Sequence, residues 1–351
     1  MPPRRLATAR LATMKAAILH GPRDLRIEAS IDPAIGSDEV LVRVEVAGLC
    51  GTDYSIFAGD RAVAYPRIMG HEFLGRVAAI GAGVTRVRPG DRVVVEPNYS
   101  CGRCPLCQEG NRNLCLQRTA VGIDIDGGFA ELARLPARCC WPTPAGLGAE
   151  DALLVEPLAV VVRAVHRGEP HQGQTAAVVG AGTLGLLALQ VLRAWGARVL
   201  VVSRTARRFD LARTLGAEAT HVADEGALET SARRFSGREG VDLVVETAGT
   251  AEAVSHALSL VRPGGRVVLT GLPHEPTPVH FFTVVRREIT IVGSMIYQDE
   301  FPEALRLLAD GSVRGRPLIT HRFGLDRLGE AFVAHRDPDS IKVAVLPSGA
   351  A

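Results

Sequence analysis

The stretch GAGTLG, residues 180–185, decides the fold of the second half of this 351-residue chain. It follows an apolar run at 175–179 and opens a helical pattern at 183–195. Glycines in this context permit a tight turn and let a pyrophosphate approach the backbone at the N-terminus of the helix. The stretch therefore predicts a dinucleotide-binding loop, whose glycines are Gly180, Gly182 and Gly185.

Around this loop the sequence alternates between strand-like and helical patterns. Further apolar runs, each typical of a buried strand, lie at 199–202, 241–245, 266–269 and 289–292. Continuous apolar strands that alternate with helices, such as the pattern at 207–215, predict a parallel sheet covered on both faces. We therefore expect an α/β, doubly wound Rossmann domain at 166–296.

The first half has a different pattern, in which glycine and proline turns separate short β-type runs. Such runs lie at 15–19, 40–46, 75–80 and 91–95. They predict an irregular all-β unit or partial barrel. Three later elements are expected to return to it, a helix and two strands, at 299–312, 317–323 and 343–346. The β-rich domain is then predicted at 14–165 and 297–351.

The composition is that of an ordinary globular chain, 47% hydrophobic and 22% charged. A net charge of +2 gives no reason to expect a nucleic acid or an anionic membrane as partner. No apolar run is long enough to span a bilayer.

Residues 1–13 are arginine-rich without acids, and we expect a disordered extension there. We place the chain in the cytoplasm, where clustered cysteines more often bind metal than form disulfides.

Four cysteines form the strongest metal-binding motif in the sequence, with the spacing C-x2-C-x2-C-x7-C. They are Cys101, Cys104, Cys107 and Cys115. Four thiolates complete a tetrahedral zinc site and leave no open position, which is typical of a structural site. The motif therefore predicts a structural zinc ion in a lobe at about 96–118. Cys139 and Cys140 lie outside the pattern and are interpreted as buried thiols.

A second zinc site is predicted from residues that are distant in sequence. Cys50 and His71 supply a thiolate and an imidazole, and either Glu72 or Glu156 supplies a carboxylate. Three such ligands leave a fourth position open for water or substrate, as catalytic zinc requires. The sequence does not decide which glutamate is the ligand.

The end of the second Rossmann strand favours NADP(H) over NAD(H), although NAD(H) stays possible. An acidic residue here would bind the ribose 2′-hydroxyl, but this chain has none at the position. Ser203 can instead donate to a 2′-phosphate, and Arg204 and Arg208 can pair with it. The alternative interpretation is a solvated basic helix start.

With these motifs in this order, the chain resembles the zinc-dependent medium-chain dehydrogenase/reductase family over residues 14–346. Stretches 156–158 and 317–323 are most similar to its sorbitol (polyol) dehydrogenase branch. The resemblance implies a GroES-like catalytic domain, a Rossmann domain and an active site in the cleft between them. It makes Thr52 a hydroxyl relay for the alcohol proton. One of Glu72 and Glu156 would ligate zinc while the other holds the zinc-bound water.

The resemblance also implies a set of cofactor-lining residues, which are Leu184, Ser203, Arg208, Thr270, Leu272, Met295 and Tyr297. Three other positions depart from the family pattern. Ser55 occupies the position of a relay histidine, so a serine, water or the ribose would carry the proton onward. Ile56 replaces a tyrosine, and Ile296 replaces an arginine beside Tyr297. These departures argue against sorbitol itself as substrate.

The predicted function is hydride transfer between a secondary alcohol and a nicotinamide cofactor, with a polyol, sugar or cyclitol as small-molecule substrate. An amino-alcohol dehydrogenase of the threonine type is the nearest alternative, and a carboxylate-binding arginine in the cleft would distinguish it. A non-catalytic dinucleotide-binding protein or a quinone-reductase-like enzyme would lack the zinc ligands. A homodimer or homotetramer is expected by resemblance, and the apolar run at 288–295 is a candidate for pairing across a two-fold axis.

Overall fold

The computed structural model describes residues 12–223, 228–273 and 275–348. Within this part of the chain, ten strands precede residue 143. They are β1 (Thr13–Gly21), β2 (Asp24–Ile31), β3 (Glu39–Leu49), β4 (Arg67–Ile68), β5 (Glu72–Ile80), β6 (Arg92–Val95), β7 (Asn98–Tyr99), β8 (Thr119–Ala120), β9 (Leu132–Pro136) and β10 (Cys140–Pro142).

Strand β3 organises this β-rich unit. Val40, Val42, Val44 and Val46 alternate toward its buried face, as expected for a half-buried strand. The central sheet has the order β10-β6-β5-β3, and β9 also pairs with β3. A smaller sheet, β2-β1-β4, packs beside it, and β7 pairs with β8. The predicted irregular β unit is therefore present.

The second half is built on a six-stranded parallel sheet. Its strands are β11 (Thr175–Val179), β12 (Arg198–Ser203), β13 (Ala219–Val222), β14 (Val241–Glu246), β15 (Val261–Leu269) and β16 (Thr290–Gly293). The order β13-β12-β11-β14-β15-β16 is that of a dinucleotide-binding fold. Every residue of β11 is buried because helices cover both faces. Successive strands are added on one side of β11 up to β13 and on its other side from β14 onward, and this change in strand order opens a crevice at the carboxyl ends of β11 and β14.

Eleven helices connect these strands in the described residues. They are α1 (Gly51–Ala58), α2 (Pro105–Gln108), α3 (Ala149–Ala152), α4 (Val155–Arg167), α5 (Thr183–Ala194), α6 (Phe209–Thr214), α7 (Leu228–Ser236), α8 (Ala251–Leu260), α9 (Phe281–Arg286), α10 (Phe301–Ala309) and α11 (Leu328–His335). Short 3-10 turns lie at 112–114, 137–139, 316–318 and 325–327. Among these described helices, none combines the length and apolar character needed to cross a membrane.

The C-terminal segment returns to the first sheet, as predicted. β17 (Ile319–Gly324) runs parallel to β18 (Lys342–Leu346), and β18 pairs antiparallel with β3 through Val343 and Leu49. This register places the start of β18 beside the end of β3. Residues nearly 300 positions apart in sequence therefore meet at one edge of the sheet.

Several predicted boundaries differ from the structure. β1 begins at Thr13, which was expected to belong to the extension, and the carbonyl of Ala12 accepts a bond from the backbone N–H of Asp32. Residues 1–11 of that extension lie outside the described residues. Strand β2 was not predicted, because its alternation of partly buried and exposed residues mixes polar and apolar types. The exact domain limits at 166 and 297 stay a prediction.

Candidate active site

The four clustered cysteines lie in the loop between β7 and β8. The Sγ atom of Cys104 is 3.5 Å from that of Cys107 and 3.9 Å from that of Cys115, and the ligand atoms of all four residues lie within 4.8 Å of one another. All seven cysteines lie in the described residues and none forms a disulfide. Four sulfurs at about 2.3 Å from a tetrahedral zinc ion would be separated by about 3.8 Å, so this donor set fits zinc.

Backbone groups prepare this cluster for anionic sulfur. The N–H groups of Arg103 and Cys104 donate to Cys101 and lower the pKa of its thiol to about 6. The N–H groups of Cys101 and Gln117 each donate to Cys115 Sγ at 3.3 Å. Metal binding requires thiolates, and these donors stabilise them.

The second ligand set forms where β3 ends and β5 begins. Cys50 is the N-cap of α1, directly after β3. Gly48 pairs with Glu72 in the β3–β5 ladder, which brings His71 and Glu72 back beside Cys50. Ligand atoms of these three residues lie within 4.8 Å of one another. One thiolate, one imidazole and one carboxylate at this spacing fit a zinc ion with an open position.

Asp53 holds this set together, a role that the sequence reasoning missed. Its side chain is fully buried and accepts bonds from the backbone N–H of Cys50 at 2.9 Å and of Gly70 at 3.3 Å. Its Oδ1 also lies 3.3 Å from Nδ1 of His71. Burial opposes the imidazolium, but Asp53 and Cys50 hold the pKa of His71 well above its ordinary value. The N-cap position of Cys50, with an acid three residues later, is the sequence signal for this contact.

Lys342 is the other residue that the sequence reasoning missed. The side chain is 4% exposed and its Nζ forms an ion pair with Oε2 of Glu72. Burial opposes the charged amine, but Glu72 raises its pKa. The chain has only two lysines among its 40 basic residues, Lys15 and Lys342. A buried lysine in so arginine-rich a sequence indicates a position where arginine does not fit.

Glu156 lies in the first turn of α4, beside the three-ligand group but outside it. Burial and, after it, the charge of Glu72 together raise the pKa of its carboxyl to about 7. Its carboxylate also accepts a bond from the hydroxyl of Tyr297. The geometry therefore separates the two candidates, because Glu72 belongs to the ligand cluster and Glu156 is its neighbour.

The predicted relay residues lie on α1. Thr52 is half-buried in its first turn, two residues after Cys50, and Ser55 is half-buried one turn later. Ile56 is fully buried and packs into the core of the β-rich unit. The position where the family pattern has a tyrosine therefore contributes to packing here.

The glycine loop connects β11 to α5 at the crevice of the parallel sheet. Gly180 has a φ of +104°, which favours glycine. A Cβ on Gly185 would lie 1.9 Å from the carbonyl oxygen of Gly180, so only glycine fits this close approach. Gly182 is the N-cap of α5. The loop thus directs the helix N-terminus into the crevice, as predicted for a dinucleotide site.

Three side chains lie at the predicted 2′-phosphate position at the end of β12. One of them, Arg208, already forms hydrogen bonds with backbone carbonyls of the chain. The guanidinium of Arg208 donates to the carbonyls of Ala181 and Pro338 at 3.0 Å and to that of Ser340. This differs from the predicted role, because Arg208 ties segment 338–340 to the glycine loop. Arg204 is exposed and Ser203 is half-buried. Binding of a 2′-phosphate by Ser203 and Arg204 stays a prediction.

The other predicted cofactor residues differ in their exposure. Thr270 and Tyr297 are buried, Leu184 and Met295 are half-buried, and Leu272 is 61% exposed. Burial leaves the hydroxyl oxygen of Thr270 without a hydrogen-bond partner among the described residues. A buried hydroxyl without a partner is consistent with a surface that a ligand completes.

Comparisons with known proteins agree with this architecture. The family model of the alcohol dehydrogenase GroES-like domain matches residues 36–145, and that of the zinc-binding dehydrogenase matches residues 183–310. Together they cover more than half of the chain. The fold is therefore a GroES-like domain combined with a Rossmann-type domain, and the protein is an oxidoreductase of the alcohol dehydrogenase class.

Individual relatives indicate which branch of this class the chain is most similar to. The chain is 34% identical to sorbitol dehydrogenase from Bacillus subtilis, over 95% of this chain and 98% of that protein. It is 35% identical to L-threonine 3-dehydrogenase from Bacillus velezensis, over 90% and 93%. A protein from Sinorhizobium meliloti 1021, described as a zinc-binding dehydrogenase and solved bound to NADP, superposes with a TM-score of 0.92 at 35% identity, covering 96% of this chain and all of that one. The chain belongs to the zinc-dependent medium-chain dehydrogenase/reductase family, in its sorbitol dehydrogenase-like branch.

Proposed function

We propose that this protein interconverts a secondary alcohol and a ketone, using NADP(H) in preference to NAD(H). A polyol, sugar or cyclitol is the proposed substrate class. The observation that carries the proposal is the grouping of Cys50, His71 and Glu72 within 4.8 Å, beside Glu156. A non-catalytic dinucleotide-binding protein would not need this buried ligand set. A quinone-reductase-like enzyme would lack these zinc ligands.

Each residue of the candidate site has a proposed role in the reaction. Cys50, His71 and Glu72 would hold a zinc ion, which supplies Lewis-acid polarisation of the alcohol oxygen when bound. Asp53 engages Nδ1 of His71 and leaves Nε2 for the metal. Oγ1 of Thr52 accepts the proton that the alcohol loses, and passes it toward Ser55. The second zinc ion, in the cysteine lobe, has a structural role.

Glu156 is proposed to act beside the ligand set. With a pKa of about 7, its carboxyl exchanges a proton near neutral pH. The hydroxyl of Tyr297 donates to it and fixes its orientation. We propose that Glu156 holds the water or substrate hydroxyl at the open position, while Glu72 is the ligand.

An amino alcohol is the second candidate substrate. The L-threonine 3-dehydrogenase relative is named for such a substrate. An arginine near the reacting group was the expected mark of this class, and Arg118 donates at 2.6 Å to Asn98, which itself donates at 2.7 Å to the Tyr297 hydroxyl. Arg118 is therefore connected through Asn98 to Tyr297, the side chain that contacts Glu156.

The cofactor preference is tested at Arg204. Its exposed guanidinium has no ion-pair partner among the described residues, so we expect it to pair with a 2′-phosphate. Arg204→Gln should raise the Kd for NADPH about 10- to 100-fold and leave the Kd for NADH nearly unchanged. Fluorescence titration of the reduced cofactors measures both, and polyol oxidation with NADP+ and NAD+ gives the parallel kcat/KM values.

Arg213→Gln is the matched control, because Arg213 is also exposed but pairs with Asp210 away from the crevice. It should bind both cofactors like the wild type. Equal loss of NADPH and NADH affinity in the Arg204 variant, or a wild-type preference for NADH, would contradict the proposal.

We also propose a homo-oligomer, at least a dimer, formed through the edge of the parallel sheet. Helix α9 precedes edge strand β16 and exposes Phe281 (67%), Phe282 (65%) and Val285 (75%). Such a patch beside an open strand edge is typical of an interface.

Val285→Asp should shift the molar mass from light scattering toward the monomer. Val333→Asp, equally exposed on α11, should leave it unchanged, and a monomeric wild type would refute the proposal.

A further inference from the structure

A cavity of about 310 Å³ lies between the cysteine lobe and the segment that follows β16. Its size is at the lower end of the roughly 300–1,000 Å³ typical of small-molecule sites. Its lining is largely polar and includes Glu96, Asn98, Asn113, Arg118, Arg138 and Tyr297.

Tyr297 connects this cavity to the candidate active site. Its ring lines the cavity, and its hydroxyl contacts the carboxylate of Glu156. The same hydroxyl accepts a bond from Nδ2 of Asn98 at 2.7 Å, and Oδ1 of Asn98 accepts from Arg118 at 2.6 Å. Tyr297 and Asn98 therefore link Arg118 of the cavity to the carboxylate beside the candidate zinc ligands.

The cavity lining carries uncompensated positive charge. Arg118 and Arg138 have no carboxylate partner among the described residues, and Arg138 only stacks on Tyr99, 4.7 Å from its ring centre. Arg112 is different, because it pairs with Asp299. Two guanidinium groups are thus available for a ligand. Guanidinium N–H groups match the oxygens of phosphate and carboxylate.

The lining has two acidic residues, and neither forms an ion pair with Arg118 or Arg138, because Asp299 pairs with Arg112 and Glu96 bonds to Trp141. Glu96 is buried, and burial raises the pKa of its carboxyl to about 7 although Trp141 donates to it at 2.6 Å. Asn113 is 7% exposed, and its Oδ1 has no hydrogen-bond partner in the described part of the chain. An unpaired buried acceptor suits a donor such as a substrate hydroxyl.

We propose that this cavity is a subsite for an anionic group, a phosphate monoester or a carboxylate, at the end of the substrate remote from its reacting carbon. Arg118 and Arg138 are its specificity-determining residues. This rests on the proposed function, since it assigns the substrate of that same site. The resulting substrate class is a hydroxylated chain with one terminal anion.

The test is the binding of sorbitol 6-phosphate, gluconate and sorbitol to the NADPH-loaded protein, measured by calorimetry. Loading with NADPH blocks the cofactor's own phosphate positions. At least one anion should bind 10-fold or more tightly than sorbitol, and the two anions distinguish phosphate from carboxylate. Arg138→Gln should reduce this anion-to-neutral ratio about 10- to 100-fold, and Arg118→Gln should do the same.

Arg134→Gln is the charge-matched control, because Arg134 is exposed four residues away, outside the cavity. It should keep the wild-type ratio. Equal binding of all three compounds, or anion binding that is unchanged in both cavity variants, overturns the subsite. If neutral polyols are oxidised without anion preference, the proposed function stands and the subsite falls. If anions bind through Arg138 but no alcohol is oxidised, the subsite stands and the proposed function falls.

Discussion

Cys50→Ala is expected to lower kcat/KM for alcohol oxidation by about 10³-fold or more and to remove one of two bound zinc ions. The reason is that Cys50 supplies the thiolate of a three-ligand group whose other members are His71 and Glu72. Two remaining ligands would bind zinc weakly, and Lewis-acid polarisation is worth several kcal/mol in the transition state. Metal content by plasma emission and steady-state kinetics measure the two effects.

The control is Cys140→Ala, which removes a buried thiol outside both ligand sets. It should keep two zinc ions and its activity, with only a modest loss of stability. If the wild type holds one zinc ion and the Cys50 variant retains it, then only the cysteine lobe binds metal. In that case the non-catalytic alternative would gain support. Full activity in the Cys50 variant would contradict the proposed mechanism directly.

The parts of the site that could be predicted are those encoded locally. The four cysteines of the lobe lie within 15 residues, so their spacing alone predicts that they share one metal site. The glycine loop is also local, because Gly180 and Gly185 face each other across one turn. The alternation of strands and helices likewise predicts a parallel sheet covered on both faces, although it does not give the strand order.

The parts that could not be predicted depend on contacts between distant segments. Arg208 follows β12 as a phosphate-binding arginine would, but segment 338–340 occupies its guanidinium. No local pattern indicates that this segment passes over the glycine loop. It is further held there by Thr183, whose hydroxyl donates to the carbonyl of Ile341 at 2.7 Å. Lys342 was missed for the same reason, since its place depends on the register of β18 against β3.

In the zinc-free protein, Lys342→Met is expected to cost about 3–5 kcal/mol of unfolding free energy, because it leaves the carboxylate of Glu72 buried without a cation. Glu72 is 2% exposed at its side chain, so water cannot replace the lost partner. Urea denaturation measures the effect. Lys15→Met is the matched control, since it removes the only other lysine of the chain. Lys15 and Asp326 are 45% and 65% exposed, so water and salt screen their pair and its loss should change the unfolding free energy little.

The double variant separates the ion pair from simple packing. If the cost comes from the unpaired carboxylate, adding Glu72→Gln to Lys342→Met should recover part of it, with a coupling of about 0.5–3 kcal/mol. Lys342→Arg should not rescue the site. Gly48 lies against both partners, and a Cβ at this position would be 2.9 Å from Cε of Lys342 and 2.6 Å from Oε2 of Glu72. The space therefore suits an ammonium on a slender stem better than the broad guanidinium.

The same substitution should affect zinc binding as well as stability. Lys342 places a positive charge against the carboxylate that the ligand set needs, so it competes with a cation for Glu72. It also offsets the repulsion between the carboxylates of Glu72 and Glu156, which lie close together. We expect the loss of this compensating charge to dominate, so Lys342→Met should lower kcat/KM even at temperatures where the variant is fully folded. Wild-type kinetics in a folded Lys342→Met protein would limit this lysine to a structural role.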